Sequence, residues 1–133
     1  MLGLTACEDE DTTNCQPVTT DADANLTQFL GLWYEISSIP LFFNTGCACT
    51  TAEYSLAPNN AGVTVSNSCQ QFGNPTNIQG IATQPDPSDF SKLKVQFPTS
   101  PSAGDYWILE FADDASYMSV SYTHLTLPTI YSV

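Results

Sequence analysis

The sequence predicts an all-β domain, a sandwich or a barrel, and three observations carry that prediction. Short runs of alternating apolar and polar residues recur at intervals of about 8–14 residues, a spacing that suits strands joined by tight turns. The breaks between them hold Pro58-Asn59-Asn60-Ala61-Gly62, Gly73-Asn74-Pro75, Pro85-Asp86-Pro87 and Pro98-Thr99-Ser100-Pro101. These clusters combine the fixed φ of proline with the permissive backbones of glycine and asparagine. No apolar run is long enough to cross a bilayer as a helix, and 133 residues make one domain at most.

Taken in order, residues 8–24 are rich in Asp, Thr and Asn without periodicity and read as a loop or arm. Asn25 to Leu30 can form a short turn of helix before Gly31. Strands are expected at about 32–39, 48–56, 62–70, 77–84, 91–98 and 105–112. Alternation assigns their faces. Ala52, Tyr54 and Leu56 share one face of the second strand. Val63, Val65 and Asn67 share one face of the third, with Thr64, Ser66 and Ser68 opposite. In the fifth, Leu93, Val95 and Phe97 face the core while Lys92, Lys94 and Gln96 face water. Tyr106-Trp107-Ile108-Leu109 is apolar on both faces, so alternation cannot orient it.

Two Lys, no Arg and fourteen acids set a net charge of −12 and a pI near 4.1. Such a surface repels phosphate and argues against nucleic acid or an anionic membrane surface as a direct partner. Glu8-Asp9-Glu10-Asp11 reads as a solvated tail rather than a site. Five Cys in so short a chain suggest an oxidising compartment. Leu4-Thr5-Ala6-Cys7 fits the small-residue pattern that precedes the lipidated cysteine of bacterial lipoproteins. The expected localisation is therefore export, with anchoring at the bacterial outer membrane through Cys7, or secretion as the alternative. The membrane would be a partner through that anchor only.

If the second and third strands form a hairpin about residues 59–60, positions summing to near 119 lie opposite each other. Cys49 and Cys69 sum to 118, so a cross-strand disulfide is plausible, with Cys47 as the alternative partner of Cys69. Zinc is the rival reading of Cys47-Ala48-Cys49, but no second close pair and no native His support it, so no metal is expected.

Residues 29–54 carry more information than the rest of the chain. Gly31-Leu32-Trp33-Tyr34-Glu35, then Pro40, Phe42-Phe43, Gly46-Cys47-Ala48-Cys49 and an alternating run ending at Tyr54 resemble the opening of a lipocalin. Tyr54-Ser55-Leu56, Val63 to Asn67, Ile78 to Ala82, Lys92 to Val95 and Tyr106 to Leu109 extend the resemblance, in order, from about Cys15 to Met118. It is nearest to the branch that includes apolipoprotein D and the bacterial lipocalins.

The resemblance implies an up-and-down antiparallel β-barrel closed at one end, a cup for apolar molecules. Here it would be incomplete, with about six to seven of eight strands and no C-terminal helix. Trp33 would plug the closed end, and Tyr54 and Asn67 would line the cup. In the apolipoprotein D pattern the cysteines matching Cys15 and Cys49 pair with later segments that this chain lacks.

The second family motif appears as Asp113-Asp114-Ala115, with Ala where Tyr is usual. The family's Arg over Trp33, its seventh and eighth strands and its helix are absent, which would leave unpaired sheet edges.

Val120 to Thr129 back-translates without mismatch to GTC TCT TAT ACA CAT CTG ACG CTG CCG ACG, a transposon-end adapter of sequencing libraries. The expected organisation is thus a tether and arm over 1–24, a partial barrel over 25–119, and adapter read-through over 120–133. His124, the single histidine, then drops out of any functional argument. Without it there is no Ser-His-Asp or Cys-His arrangement, and no catalytic residue is assigned. Glu35, on the face of Trp33, is the acid expected to point inward, where a carboxylate could serve as an acid or base. A hydrogen-bonded place in the floor of the cup is the commoner use of such a residue.

The expected function is binding or transport of a small hydrophobic ligand, such as a fatty acid or lysophospholipid, with no cofactor. Its lining would be Trp33, Glu35, Tyr54, Val63, Val65, Asn67, Leu93, Val95 and Phe97. A barrel enzyme acting on an apolar substrate, or a pigment-binding structural protein, is the alternative.

Overall fold

The computed structural model describes residues 2–4, 18–38 and 46–123. In chain order these form β1 (Leu2–Leu4), α1 (Leu26–Phe29), β2 (Gly31–Tyr34), β3 (Ser37–Ser38), β4 (Cys47–Leu56), β5 (Val63–Gln71), β6 (Asn74–Thr83), β7 (Lys92–Gln96), β8 (Gly104–Phe111) and β9 (Met118–Thr123). Seven antiparallel strands, β2 and β4 to β9, pair as neighbours along the chain and curl into a half-barrel. β1 runs parallel to both β9 and β3 at the far edge. The fold is therefore all-β and up-and-down, as the strand spacing and the family resemblance predicted. Cys7, Cys15, His124 and most of the expected tether and tail lie outside the described residues.

The β4–β5 register obeys the expected rule: Leu56 faces Val63, Tyr54 faces Val65 and Thr51 faces Ser68, each pair summing to 119. Asn59, Asn60 and Gly62 take positive φ in the connecting turn, where their residue types cost least.

Three features depart from expectation. The second break is shorter, because Phe72 and Gly73 alone turn the chain, both with positive φ. That two-residue geometry matches strand twist and lets β6 begin at Asn74. Pro75 is tolerated within β6 because β7 pairs only with Ile81 to Thr83, leaving its stretch of β6 an open edge. Leu56 shares the parity of Ala52 and Tyr54 but is 63% exposed, and the pairing of β2 with β4 stops short of it at Tyr54. A seventh antiparallel strand, beyond the six spans placed in the sequence and within the expected six to seven, is present as β9. It extends into the segment assigned to the adapter, whose apolar alternation suits it to the otherwise free edge of β8.

The register slips once in β4–β5, between Ala48 and Thr51. Cys49 and Thr50 together oppose Cys69, a β-bulge with Cys49 at φ 54°. Of the two expected partners the bulge selects the alternative: Cys69 bonds to Cys47, with Cα atoms 5.5 Å apart, and Cys49 is an exposed free thiol. A sum of 118 rather than 119 is a one-residue offset, which puts Cys49 and Cys69 on opposite faces. The extra residue of the bulge flips the facing before it, so Cys47 comes round to the side of Cys69.

The arm preceding α1 is tied down by Asp21. Its N–H donates to Ile108 O (2.9 Å), and its Oδ2 accepts from Phe111 N (2.9 Å), across an irregularity in the β8–β9 ladder. α1 is a single turn capped by Asn25, whose Oδ1 accepts from Gln28 N at 3.0 Å. Gln28 in turn donates to Asp113 O in the β8–β9 turn (3.2 Å), fixing α1 at the closed end.

Candidate ligand-binding site

The inward face is built from cross-strand rows. Trp33, Ala52, Asn67 and Ile78 are consecutive partners across β2, β4, β5 and β6. Gly31, Tyr54, Val65 and Gly80 form the next row, and Val63, Ala82, Val95 and Gly104 another across β5 to β8. Alternation assigned these faces correctly: Val63, Val65, Asn67, Leu93, Val95 and Phe97 are buried, and Lys92, Lys94 and Gln96 are exposed. Gly80 is required where it stands. A Cβ there would meet Gln96 O at 2.6 Å and the Phe97 ring at 2.7 Å, so Phe97 packs against bare backbone.

An aromatic floor closes the end next to α1. Phe29 is fully buried, its ring 4.1 Å from Tyr54, 5.4 Å from Phe90 and 6.3 Å from Tyr106. Trp33 Nε1 donates to Phe29 O (2.9 Å), and its ring meets Phe111 edge-on at 5.6 Å. Trp33 thus joins the aromatic cluster beside α1. Sequence reasoning missed Phe29, Phe90, Tyr106 and Phe111 as parts of this floor. Pairing supplies what alternation lacked for β8: Tyr106 stands opposite the inward Leu93, so Tyr106 and Ile108 turn in while Trp107 and Leu109 turn out.

A cleft of about 190 Å³ opens beside this floor, lined among others by Leu26, Ala57, Val63, Phe90 and Leu93. Of the expected ligand-binding residues, Val63 and Leu93 reach it. Tyr54, Val65, Asn67, Val95 and Phe97 lie within the packed interior.

Four polar side chains interrupt or border this apolar interior. Tyr54 and Tyr106 share a hydrogen bond between their hydroxyls at 2.8 Å, and burial pushes the Tyr54 hydroxyl pKa well above its ordinary value. Glu35 is half-buried. Its Oε1 accepts from Ser38 Oγ at 2.6 Å, while its Oε2 is buried with no partner among the described residues. Asn67 is 0% exposed, and neither its Nδ2 nor its Oδ1 has a hydrogen-bond partner among the described residues. A buried unpaired polar group costs about 1–3 kcal/mol, so an Asn with both ends unpaired demands an explanation. Among the described residues no group of three or more His, Cys, Asp or Glu is placed to hold a metal ion.

A family model described as a lipocalin-like domain matches residues 24–132. The chain belongs to the lipocalin family. It is 36% identical over 115 residues to the Lazarillo protein of Schistocerca americana, covering 82% of this chain and 52% of that one. It is 33% identical over 106 residues to apolipoprotein D of Rattus norvegicus, covering 80% and 55%. Temperature-induced lipocalin-1 of Arabidopsis thaliana is 38% identical over 98 residues, covering 68% and 52%. This lipocalin chain thus spans about half the length of the relatives it matches.

Proposed function

We propose that this lipocalin chain binds a small hydrophobic molecule in its barrel interior and carries it, rather than catalysing a reaction. The observation that carries the reading is Asn67: a fully buried amide with no partner among the described residues, set in a wall of Ala52, Val65 and aromatic rings. A wall evolved for packing alone gains nothing from that amide, whereas a ligand's polar end repays it. Hydrocarbon buried against the wall would contribute about 0.8 kcal/mol per CH₂. Fatty acids, lysophospholipids and comparable lipids are the candidate class.

The Cys47–Cys69 bridge supports export to an oxidising compartment. Anchoring through a lipidated Cys7, as in bacterial outer-membrane lipoproteins, is the finer form of that proposal. Residues 25–119 would be the functional barrel.

Titrating the chain with the neutral apolar fluorophore N-phenyl-1-naphthylamine tests the reading. Binding should enhance probe fluorescence and quench Trp33. Val65→Asp should abolish it, because an unpaired carboxylate in the apolar wall costs several kcal/mol. Thr64→Asp, one residue away on the outer face, should leave it intact. Equal loss in both variants, or none in Val65→Asp, would refute the inward assignment.

A further inference from the structure

We infer that the interior selects a ligand whose polar end is uncharged and hydrogen-bonding, an amide above all, against one that ends in a carboxylate or phosphate. This rests on the ligand-binding reading above and narrows it.

The first ground is the kind of partner that Asn67 needs. Its side chain presents N–H donors and a carbonyl acceptor, and both ends are unpaired among the described residues and shielded from solvent. A carboxylate only accepts, and would leave Oδ1 unpaired. A primary amide offers a carbonyl and an N–H together, and can satisfy both ends of Asn67 at once. A hydroxyl can serve either end.

The second ground is the distribution of charge. An anion taken into an apolar interior needs a cation or a dense set of donors, and the described residues place no cation there. Its only Lys residues, Lys92 and Lys94, lie on the outer face of β7. Lys94 is ion-paired to Asp105, and Lys92 sits 5.0 Å over the Trp107 ring. There is no Arg, residues 39–45 contain no basic side chain, and the single His, His124, lies outside the described residues. The polar groups that do face inward are neutral or acidic. The Tyr54 and Tyr106 hydroxyls are bonded to each other, and at the edge of the sheet Glu35 adds a carboxylate oxygen that is buried and unpaired among the described residues. A net charge of −12 adds a long-range term of the same sign.

The test is a head-group competition on the full chain at neutral pH, displacing N-phenyl-1-naphthylamine with hexadecanamide or with hexadecanoate, which share a hydrocarbon tail. Hexadecanamide should compete on the order of a hundredfold more tightly, the penalty of an uncompensated buried charge. Asn67→Leu, close in volume, should weaken hexadecanamide about tenfold relative to the probe's affinity for the same variant. Hexadecanoate binding as tightly as the amide would overturn the inference. So would an unaltered amide affinity in Asn67→Leu, or a bound probe that neither amphiphile displaces; in each case the ligand-binding reading would still stand. Failure of the probe itself to bind would remove that reading and the inference with it. The comparison of head groups on the unsubstituted chain decides the question even where Asn67→Leu does not fold.

Discussion

Removing the Cys47–Cys69 bridge should cost this domain about 3.4 kcal/mol at 25 °C. The bridge closes a 22-residue span containing all of the β4–β5 hairpin but its last two residues, and the figure follows from the loop-closure entropy it takes from the unfolded chain. It is a large share of the roughly 5–15 kcal/mol that holds a typical domain together. The perturbation is Cys47→Ala with Cys69→Ala, compared with Cys49→Ser, and the assay is equilibrium urea unfolding with and without reductant. The double variant should shift the midpoint down and raise the m-value, because an uncrosslinked unfolded chain exposes more surface. Reductant should have no further effect on it. Cys49→Ser should change stability by less than about 0.5 kcal/mol, as expected for an exposed side chain outside the bridge. If Cys49→Ser abolishes the reductant sensitivity and Cys47→Ala does not, the bulge has been placed wrongly and the bridge runs from Cys49.

Two further predictions concern pH and the chain ends. Burial raises the Tyr54 pKa above the ordinary 10.0, so as pH climbs past that value the unfolded chain releases this proton while the folded chain keeps it. Its contribution is complete below pH 10 and is lost progressively above it. Urea unfolding at stepped alkaline pH should show stability falling, with a shallower slope in Tyr54→Phe. The slope should not vanish, because the hydrogen bond from Tyr117 to the Glu110 carboxylate raises the Tyr117 pKa in the same sense; an unchanged slope would count against a buried Tyr54 hydroxyl. Intact mass spectrometry of the protein from its native locus reads both ends: a diacylglyceryl adduct on Cys7, and a C-terminus that departs from residues 120–133. An unmodified residue upstream of Cys7 would refute the anchor, and a native Val120–Thr129 would refute the adapter origin.

What was legible in the sequence follows from how local each determinant is. Period-two alternation is local, and it placed Val63, Val65, Asn67, Leu93, Val95 and Phe97 on the inner face without any tertiary information. The β4–β5 register was legible because its turn cluster marks the pivot. The orientation of β8 was not, since Tyr106 to Leu109 carries no alternation and only the pairing of Tyr106 with Leu93 decides it. The bulge was hidden because its signature is a positive φ at Cys49, a residue type that gives no warning of it. Phe29 escaped notice because a four-residue helix is too short to show a period. The Asn25 cap with Gln28 three residues on was the available signal.

The interior raises a harder question, because in a barrel that carries a ligand the core and the binding wall are made of the same residues. Burial of Val65 or Phe97 therefore cannot separate packing from function, and neither can alternation. Asn67 can. At a fully buried position facing Ala52 and Ile78, an aliphatic side chain of similar volume would avoid the cost of two unpaired polar ends. Local rules are broken where something other than stability is selected. The same reasoning applies to Glu35, whose second oxygen is also buried and unpaired. That carboxylate, however, retains a partner in Ser38 and lies at the edge of the sheet. Asn67 is thus the position at which substitution should divide ligand affinity from stability, with Asn67→Leu weakening the first while leaving the second equal or improved.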